Sequence, residues 1–264
     1  MNTLMITNTQ TRKKEVFKSI NDNKVSLYGC GVTPYDHSHI GHGRCYVSID
    51  IVVRLLKFLG YDVTYVRNFT DIDDKLINKA KDQGDINSYL DIANKFIKSF
   101  GEEMYALNCL KPDIEPRVTD HIAQIVKFVE GLVEAGKAYV VDGDVYFDIS
   151  SFPEYGKLSG RKLEDMQFGA RVDVDERKKN PADFALWKGN SEGLFWKSPW
   201  GHGRPGWHIE CSALAKEYLG ESIDIHCGGM DLVFPHHENE VAQSEALHKK
   251  VFANYWIHNA FVNI

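Results

Sequence analysis

The chain has 264 residues, 43% hydrophobic and 26% charged, with a formal net charge of −6. That size suits one large α/β core or a core with an inserted subdomain, and the acidic balance argues against a nonspecific nucleic-acid binder while leaving room for a local basic groove. No apolar run nears the roughly 20 residues of a membrane helix, no signal-peptide pattern opens the chain, and five scattered cysteines fit metal or catalytic use better than a disulfide framework, so a cytoplasmic protein is expected.

Residues 1–23 carry little signal. Val25 to Tyr28 is an apolar run that reads as a buried strand, and it ends in Gly29-Cys30-Gly31. A loop with Pro34 follows. His39-Ile40-Gly41-His42 then opens a segment of helical periodicity through Val47, Ile51, Val52, Leu55, Leu56 and Leu59, stopped by Gly60. Strand, glycine loop and helix N-terminus make a site for anionic phosphate, because the first helical N–H groups lack partners and the dipole favours negative charge. Gly41 admits a nucleotide close to the backbone. His39 and His42 can donate to phosphate oxygens where charge builds in a transition state. Asp62 to Thr70 reads as a second strand, parallel to the first across a right-handed crossover. Ligands of such sheets collect beyond the carboxyl ends of the strands, where Cys30 and Thr70 both fall.

Thr70-Asp71-Ile72-Asp73-Asp74-Lys75 starts a helix whose aspartates read as a solvated cap. A long helix over about 88–107 carries an apolar stripe of Ala93, Phe96, Ile97, Phe100, Met104 and Leu107. Another spans about 119–135, with Ile122, Ile125, Val126, Val129 and Val133 inward. Ala138 to Val141 and Val145 to Ile149 form a hairpin about Asp142-Gly143-Asp144. From Ser150 to about Trp200 the chain is polar and broken by Gly and Pro, and Asp175 to Lys179 reads as a solvated face. Gly203-Arg-Pro-Gly-Trp-His-Ile-Glu-Cys-Ser212 opens a helix ending at Gly220, and Ser222 to His226 reads as a third buried strand. Cys227-Gly-Gly-Met-Asp231 comes next. Phe234 to Glu240 starts a helix with Pro235 near its first position, so that His236 and Glu240 project from one face. The stretch from Tyr255 to Ile264 has room for one more strand. The fold class expected is α/β, a Rossmann-like parallel-sheet nucleotide-binding domain with an insertion. Its first half is 1–111, the insertion 112–200 and the second half 201–264.

His39-Ile40-Gly41-His42 resembles the HIGH signature of class I aminoacyl-tRNA synthetases. Tyr28 to Asp36 before it is similar to the version found in cysteinyl-tRNA synthetases, and so is the run Arg67 to Lys75. The insertion resembles the connective insertion of that family, down to Gly169-Ala-Arg-Val-Asp173 and Asn180 to Lys188. The likeness runs through the whole chain. It implies that His39 and His42 hold the phosphates of ATP, with Gly41, that Gly229 and Asp231 take the adenosine ribose, and that Thr70 and Trp207 flank the amino acid.

Cys30, Cys211, His236 and Glu240 are a conceivable tetrahedral zinc set. Their spacing is no zinc-finger pattern, and each alone also suits plain packing or a surface pair. The resemblance implies zinc, one per chain, since all four fall on ligand positions of the family, whereas His237, Cys45, Cys109 and Cys227 do not. A soft thiolate of free cysteine would bind that metal and a serine hydroxyl would bind it poorly, which allows selection without editing. The activity so implied is a ligase reaction. Cysteine and ATP, with magnesium, give cysteinyl-adenylate, and the cysteinyl group passes to tRNA(Cys). The partners expected are tRNA(Cys), L-cysteine and ATP, with no membrane, and the protein is expected to act as a monomer. The lysine loop of the family, KMSKS, would follow Ile264, as would the anticodon-reading region, so the chain by itself is expected to bind cysteine and ATP yet form adenylate poorly. Two other readings share these motifs: a zinc-dependent ligase joining cysteine to an amino sugar, and a noncatalytic zinc- or cysteine-binding remnant of a synthetase.

Overall fold

The computed structural model describes residues 4–161, 176–189 and 195–262. The chain divides into two compact units. One comprises Met1–His121, Leu214–Val233 and Ala253–Ile264, and the other Ile122–Ala213 and Phe234–Phe252.

The first unit is built on a parallel sheet. Its strands β3 (Lys24–Val32), β4 (Asp62–Phe69), β10 (Ile223–Gly229) and β11 (Ala253–Asn259) stand in the order β11-β10-β3-β4. Every pair is parallel, and Leu27 is flanked by Tyr65 and Ile225. These strands are buried and mostly apolar because both faces of a parallel sheet are covered, with Arg67, Asn68, Asp224 and His226 as buried polar exceptions. Leu27, Val63, Tyr65, Ile225 and Tyr255 share one core cluster with Ile49, Val53 and Leu56 of helix α1 (Ile40–Phe58). The sheet edges are covered. A hairpin of β1 (Met5–Asn8) and β2 (Lys13–Val16) reaches β11, where buried Asn8 accepts from the Trp256 N–H at 3.1 Å and donates to the Asn254 carbonyl at 2.9 Å. Beside β4, residues 113–117 run parallel, with Ile114 bridging Val66 and Arg117 bridging Phe69. Helices α2 (Asp74–Asp82) and α3 (Tyr89–Ala106) follow β4.

The second unit pairs an antiparallel sheet with helices. Strands β5 (Ala138–Val141), β6 (Asp144–Phe147), β7 (Phe184–Gly189), β8 (Trp196–Ser198) and β9 (Gly201–Pro205) stand in the order β5-β6-β7-β9-β8. The β5–β6 turn uses Asp142 and Gly143, both at positive φ, as a two-residue hairpin loop requires. Helix α4 (Ile122–Glu134) belongs here, as does α6 (Glu238–His248). Helix α5 (Trp207–Leu219) begins in this unit and ends in the first.

Several expectations change. The opening 23 residues hold the β1–β2 hairpin, and the polar stretch after Ser150 holds β7 and β8. On α1 the buried face is Tyr46, Ile49, Val53 and Leu56, while Ile51, Leu55 and Leu59 of the expected stripe are exposed. Leu107 is also exposed. On α4, Phe128 and Leu132 are buried along with Ile122, Ile125 and Val129. Asp73 does cap α2, accepting from the Lys75 N–H at 2.9 Å, but Asp71 is buried and bonds to Thr119. The charge run is not wholly solvated, since Arg177 pairs with Asp144 at 2.7 Å and Lys179 lies over the Tyr139 ring. The motif at 169–173 lies outside the described residues.

Candidate active site

In the first unit, the loop after β3 leads into α1 through His39, which is its N-cap. The His39 Nδ1 accepts from the Gly41 N–H at 3.1 Å, and the His42 Nδ1 accepts from the His39 N–H at 3.2 Å. Backbone N–H groups only donate, so both Nδ1 atoms are acceptors. In the neutral rings the proton therefore sits on Nε2, and each histidine presents an N–H donor beyond the cap. The two rings stack with centroids 3.8 Å apart. Burial, then the neighbouring His39, holds the pKa of His42 below the usual histidine range. Two Nε2–H donors thus stand at the positive end of a 19-residue helix. Gly41 has a reason beyond nucleotide access: a Cβ there would meet the His39 ring at 2.9 Å and push it off the cap.

Gly229 ends β10, and Asp231 follows it, exposed. A Cβ on Gly229 would collide with the Asp231 Oδ1, so glycine is what allows this carboxylate to fold back on the strand end. Asp231 lies near enough to His42 and Cys45 for its charge to act on both. Thr70 is buried just past β4, its N–H donating to the Val32 carbonyl at 3.1 Å. Cys30 is buried in β3 at a β-bulge, because the register passes from Gly29–Arg67 to Val32–Phe69 with one extra residue on β3.

In the second unit, Cys211, His236 and Glu240 are buried and bring their ligand atoms within 4.8 Å of one another. Cys211 comes from α5, and Glu240 from the first turn of α6. His236 precedes that helix in a π-turn, with a cis peptide bond between Phe234 and Pro235. The four-residue spacing still brings His236 Nε2 to 3.1 Å from the Glu240 carboxylate. The Nδ1 of His236 lies 3.0 Å from the Nδ1 of His208, and the Trp207 ring stacks on His236 at 4.3 Å. Burial, then the charge of Lys188, pushes the His208 pKa down to about 3, so that ring is neutral.

A buried thiol, imidazole and carboxylate at this separation suit a borderline-soft divalent cation, and His208 gives the other ring nitrogen of the imidazole the hydrogen-bond partner that such a ligand needs. The remaining cysteines differ. Burial, then Asp231, pushes the Cys45 thiol up to about 12, and burial raises the Cys109 and Cys227 thiols, so all three stay protonated. Sequence alone assigns no role to His208 or to Asn68, the latter inside β4. An Asn inside an apolar strand is the one signal that marks the latter, since strands disfavour Asn.

The profile of the family described as tRNA synthetases class I (C) catalytic domain matches residues 16–264. The chain belongs to this family. Among curated class I relatives, the chloroplastic/mitochondrial cysteine–tRNA ligase of Arabidopsis thaliana is 57% identical over 99% of this chain and 46% of its own length. The cysteine–tRNA ligase of Geobacillus thermodenitrificans is 54% identical over 100% of this chain and 56% of its own. The chain thus spans about half the length of the curated relatives it matches. Among solved structures, the methionyl-tRNA synthetase of Mycobacterium tuberculosis in complex with methionyl-adenylate aligns with a TM-score of 0.67 at 15% identity, over 90% of this chain and 57% of that one. The fold is therefore that of a class I synthetase catalytic domain, with a Rossmann-like parallel sheet. No described helix is long and apolar enough to cross a membrane.

Proposed function

We propose that the chain is the catalytic half of a cysteine–tRNA ligase, activating L-cysteine with ATP to cysteinyl-adenylate and passing the cysteinyl group to the terminal adenosine of tRNA(Cys). The observation that carries this reading is the buried cluster of Cys211, His236 and Glu240, with Trp207 stacked on its histidine. Identity above 50% to cysteine–tRNA ligases over the full chain supports it.

On this reading ATP lies with its phosphates at the N-terminus of α1. The first-turn N–H groups of α1 and the Nε2–H groups of His39 and His42 donate to phosphate oxygens, and Gly229 and Asp231 take the ribose. Attack of the cysteine carboxylate on the α-phosphorus forms the acyl–phosphate bond and expels pyrophosphate. Charge grows on the oxygens that these donors face, so they act by positioning and charge stabilisation. A neutral His42 suits this, since a donor held near its transition-state geometry needs no reorganisation. Magnesium would accompany ATP.

Thr70 and Trp207 flank the amino acid. Cys30, Cys211, His236 and Glu240 would hold one zinc, the buried thiolate, imidazole and carboxylate of the last three fitting that ion. Bound there, zinc would supply a Lewis-acid site that favours a thiolate over a hydroxyl. We take the enzyme to act as a cytoplasmic monomer.

The test is amino-acid-dependent ATP–pyrophosphate exchange by this sequence extended to the length of its relatives, followed by charging of tRNA(Cys), with an amino sugar offered as the competing acceptor. Exchange with cysteine and not with serine or methionine, then charging of tRNA, is the expected result. Equal exchange with serine, or transfer only to the sugar, would overturn the reading.

A further inference from the structure

The bulge in β3 sets Cys30 and Gly31 opposite one residue of β4, Asn68. Such a bulge leaves an amide outside the ladder, and a buried amide without an acceptor is costly. Here the Gly31 N–H donates to the Asn68 side-chain oxygen at 3.0 Å, and the Tyr28 hydroxyl donates to the same oxygen at 3.1 Å. Gly31 must be a glycine, because a Cβ would fall onto the Asn68 carbonyl oxygen.

Because the Gly31 N–H can only donate, the amide oxygen must face it. The amide NH2 then faces Thr70 and donates to the Thr70 Oγ1 at 3.2 Å. Asn68 is fully buried, so water does not compete for these bonds. One planar group thereby does two things. Its oxygen holds the strand kink that carries Cys30, and its nitrogen makes the Thr70 hydroxyl an acceptor on that side, which directs the hydroxyl proton away from Asn68.

We infer that Asn68 is a positioning residue for amino-acid binding, acting through Cys30 on one side and through Thr70 on the other, so that Thr70 meets the substrate as a hydrogen-bond donor. The inference rests on the functional reading above. The substrate group it fits is an acceptor, the carboxylate of the amino acid.

Asn68→Asp separates the two arms. A carboxylate still accepts from Gly31 and Tyr28, but it now also accepts from Thr70 and takes up the hydroxyl proton. Cysteine affinity of the zinc-loaded chain, measured by calorimetry, is expected to fall about ten-fold, the loss of one hydrogen bond to a charged group. ATP affinity should stay within about two-fold of the parent, since the site of change is separate from the phosphate cap. In a Thr70→Ala background the same substitution should change cysteine affinity by less than about two-fold, because no hydroxyl remains to be turned. Asn68→Ala, which also frees the Gly31 amide, should release zinc to a chelator faster than Asn68→Asp does.

A parent chain that fails to bind cysteine would defeat the functional reading. A parent that binds cysteine, with an equal effect of Asn68→Asp in both backgrounds, would overturn the role of Asn68. So would zinc release from Asn68→Ala no faster than from Asn68→Asp. Should Asn68→Ala fail to fold, the paired Asn68→Asp measurements decide alone.

Discussion

Glu238 lies between His236 and Glu240 and is fully buried, yet it ligates nothing in the proposed zinc set. Its carboxylate accepts from the backbone N–H groups of Gly156 at 3.0 Å, Leu158 at 3.3 Å and Ser159 at 2.7 Å. The turn at 154–160 is thereby tied to the start of α6, and the bond from the Tyr155 hydroxyl to Asn239 at 2.5 Å and the Lys157–Glu245 ion pair reinforce it. Glu238→Ala strands three amides. Each buried donor deprived of its acceptor costs about 1–3 kcal/mol, and relief of the carboxylate's own desolvation offsets part, leaving about 3–5 kcal/mol. Glu238→Gln keeps an oxygen for Gly156 and Leu158 but turns an NH2 toward the Ser159 N–H, which should cost about 1–3 kcal/mol. The loss is local to one turn, so amide hydrogen exchange is the assay. Protection at Gly156, Leu158 and Ser159 is expected to fall about 100-fold or more in the alanine variant, and chiefly at Ser159 in the glutamine variant. Unchanged protection at Ser159 in Glu238→Ala would refute the claim that this carboxylate holds the turn.

Burial, then the charge of His226, pushes the His258 pKa down to about 3 from an ordinary 6.5. The unfolded chain then binds more protons between those values, so stability is full above about pH 6.5 and falls as pH drops. Between pH 7 and pH 5 this ring alone should account for at most about 2 kcal/mol, and His258→Phe should flatten that part of a denaturant-midpoint profile. Gly31→Ala should unfold or open the β3–β4 pair, because backbone must move, and thermal unfolding should register a drop larger than the roughly 1 kcal/mol typical of point changes. Cys211→Ser with His236→Ala should empty the proposed metal site, read as less than about a tenth of the parent's zinc by elemental analysis after dialysis. His42→Gln should retain more ATP affinity than His42→Ala in equilibrium binding, since an amide can both accept from His39 and donate to phosphate.

What could be read in advance followed physical periodicity. The strands β3, β4 and β10 carry buried apolar residues such as Leu27, Tyr65 and Ile225 because both their faces are covered, and α3 keeps a stripe because one of its faces is. The β1–β2 hairpin was illegible, since β2 reads Lys-Lys-Glu-Val and is mostly exposed. β7 and β9 hid among glycines, yet those glycines are demanded by crowding: a Cβ on Gly203 would meet the Trp187 ring and the Lys188 carbonyl. α1 misled because apolar Ile51 and Leu55 face outward. At the site, spacing set His236 and Glu240 on one face, but Cys211, more than 20 residues away in the chain, joined them only through likeness to a family. Asn68 is marked in the sequence only as a polar residue inside a strand, and Glu238 acts through backbone amides, which leave no trace in residue type, so coordinates are needed to show what either holds.

The pairing of β3 with β10 also sets a timetable. Ser26 and Asp224, joined by two hydrogen bonds of 2.8 Å, are 198 positions apart in the chain. At about 5–20 residues per second, the ribosome would take roughly 10–40 s to make β10 after β3 has emerged. Through that interval one edge of β3, apolar and bearing Cys30, has no strand to pair with. The nascent chain is therefore most open to aggregation and to chaperone capture in this window, and codon choice or growth temperature would act on its yield here without altering a single native contact.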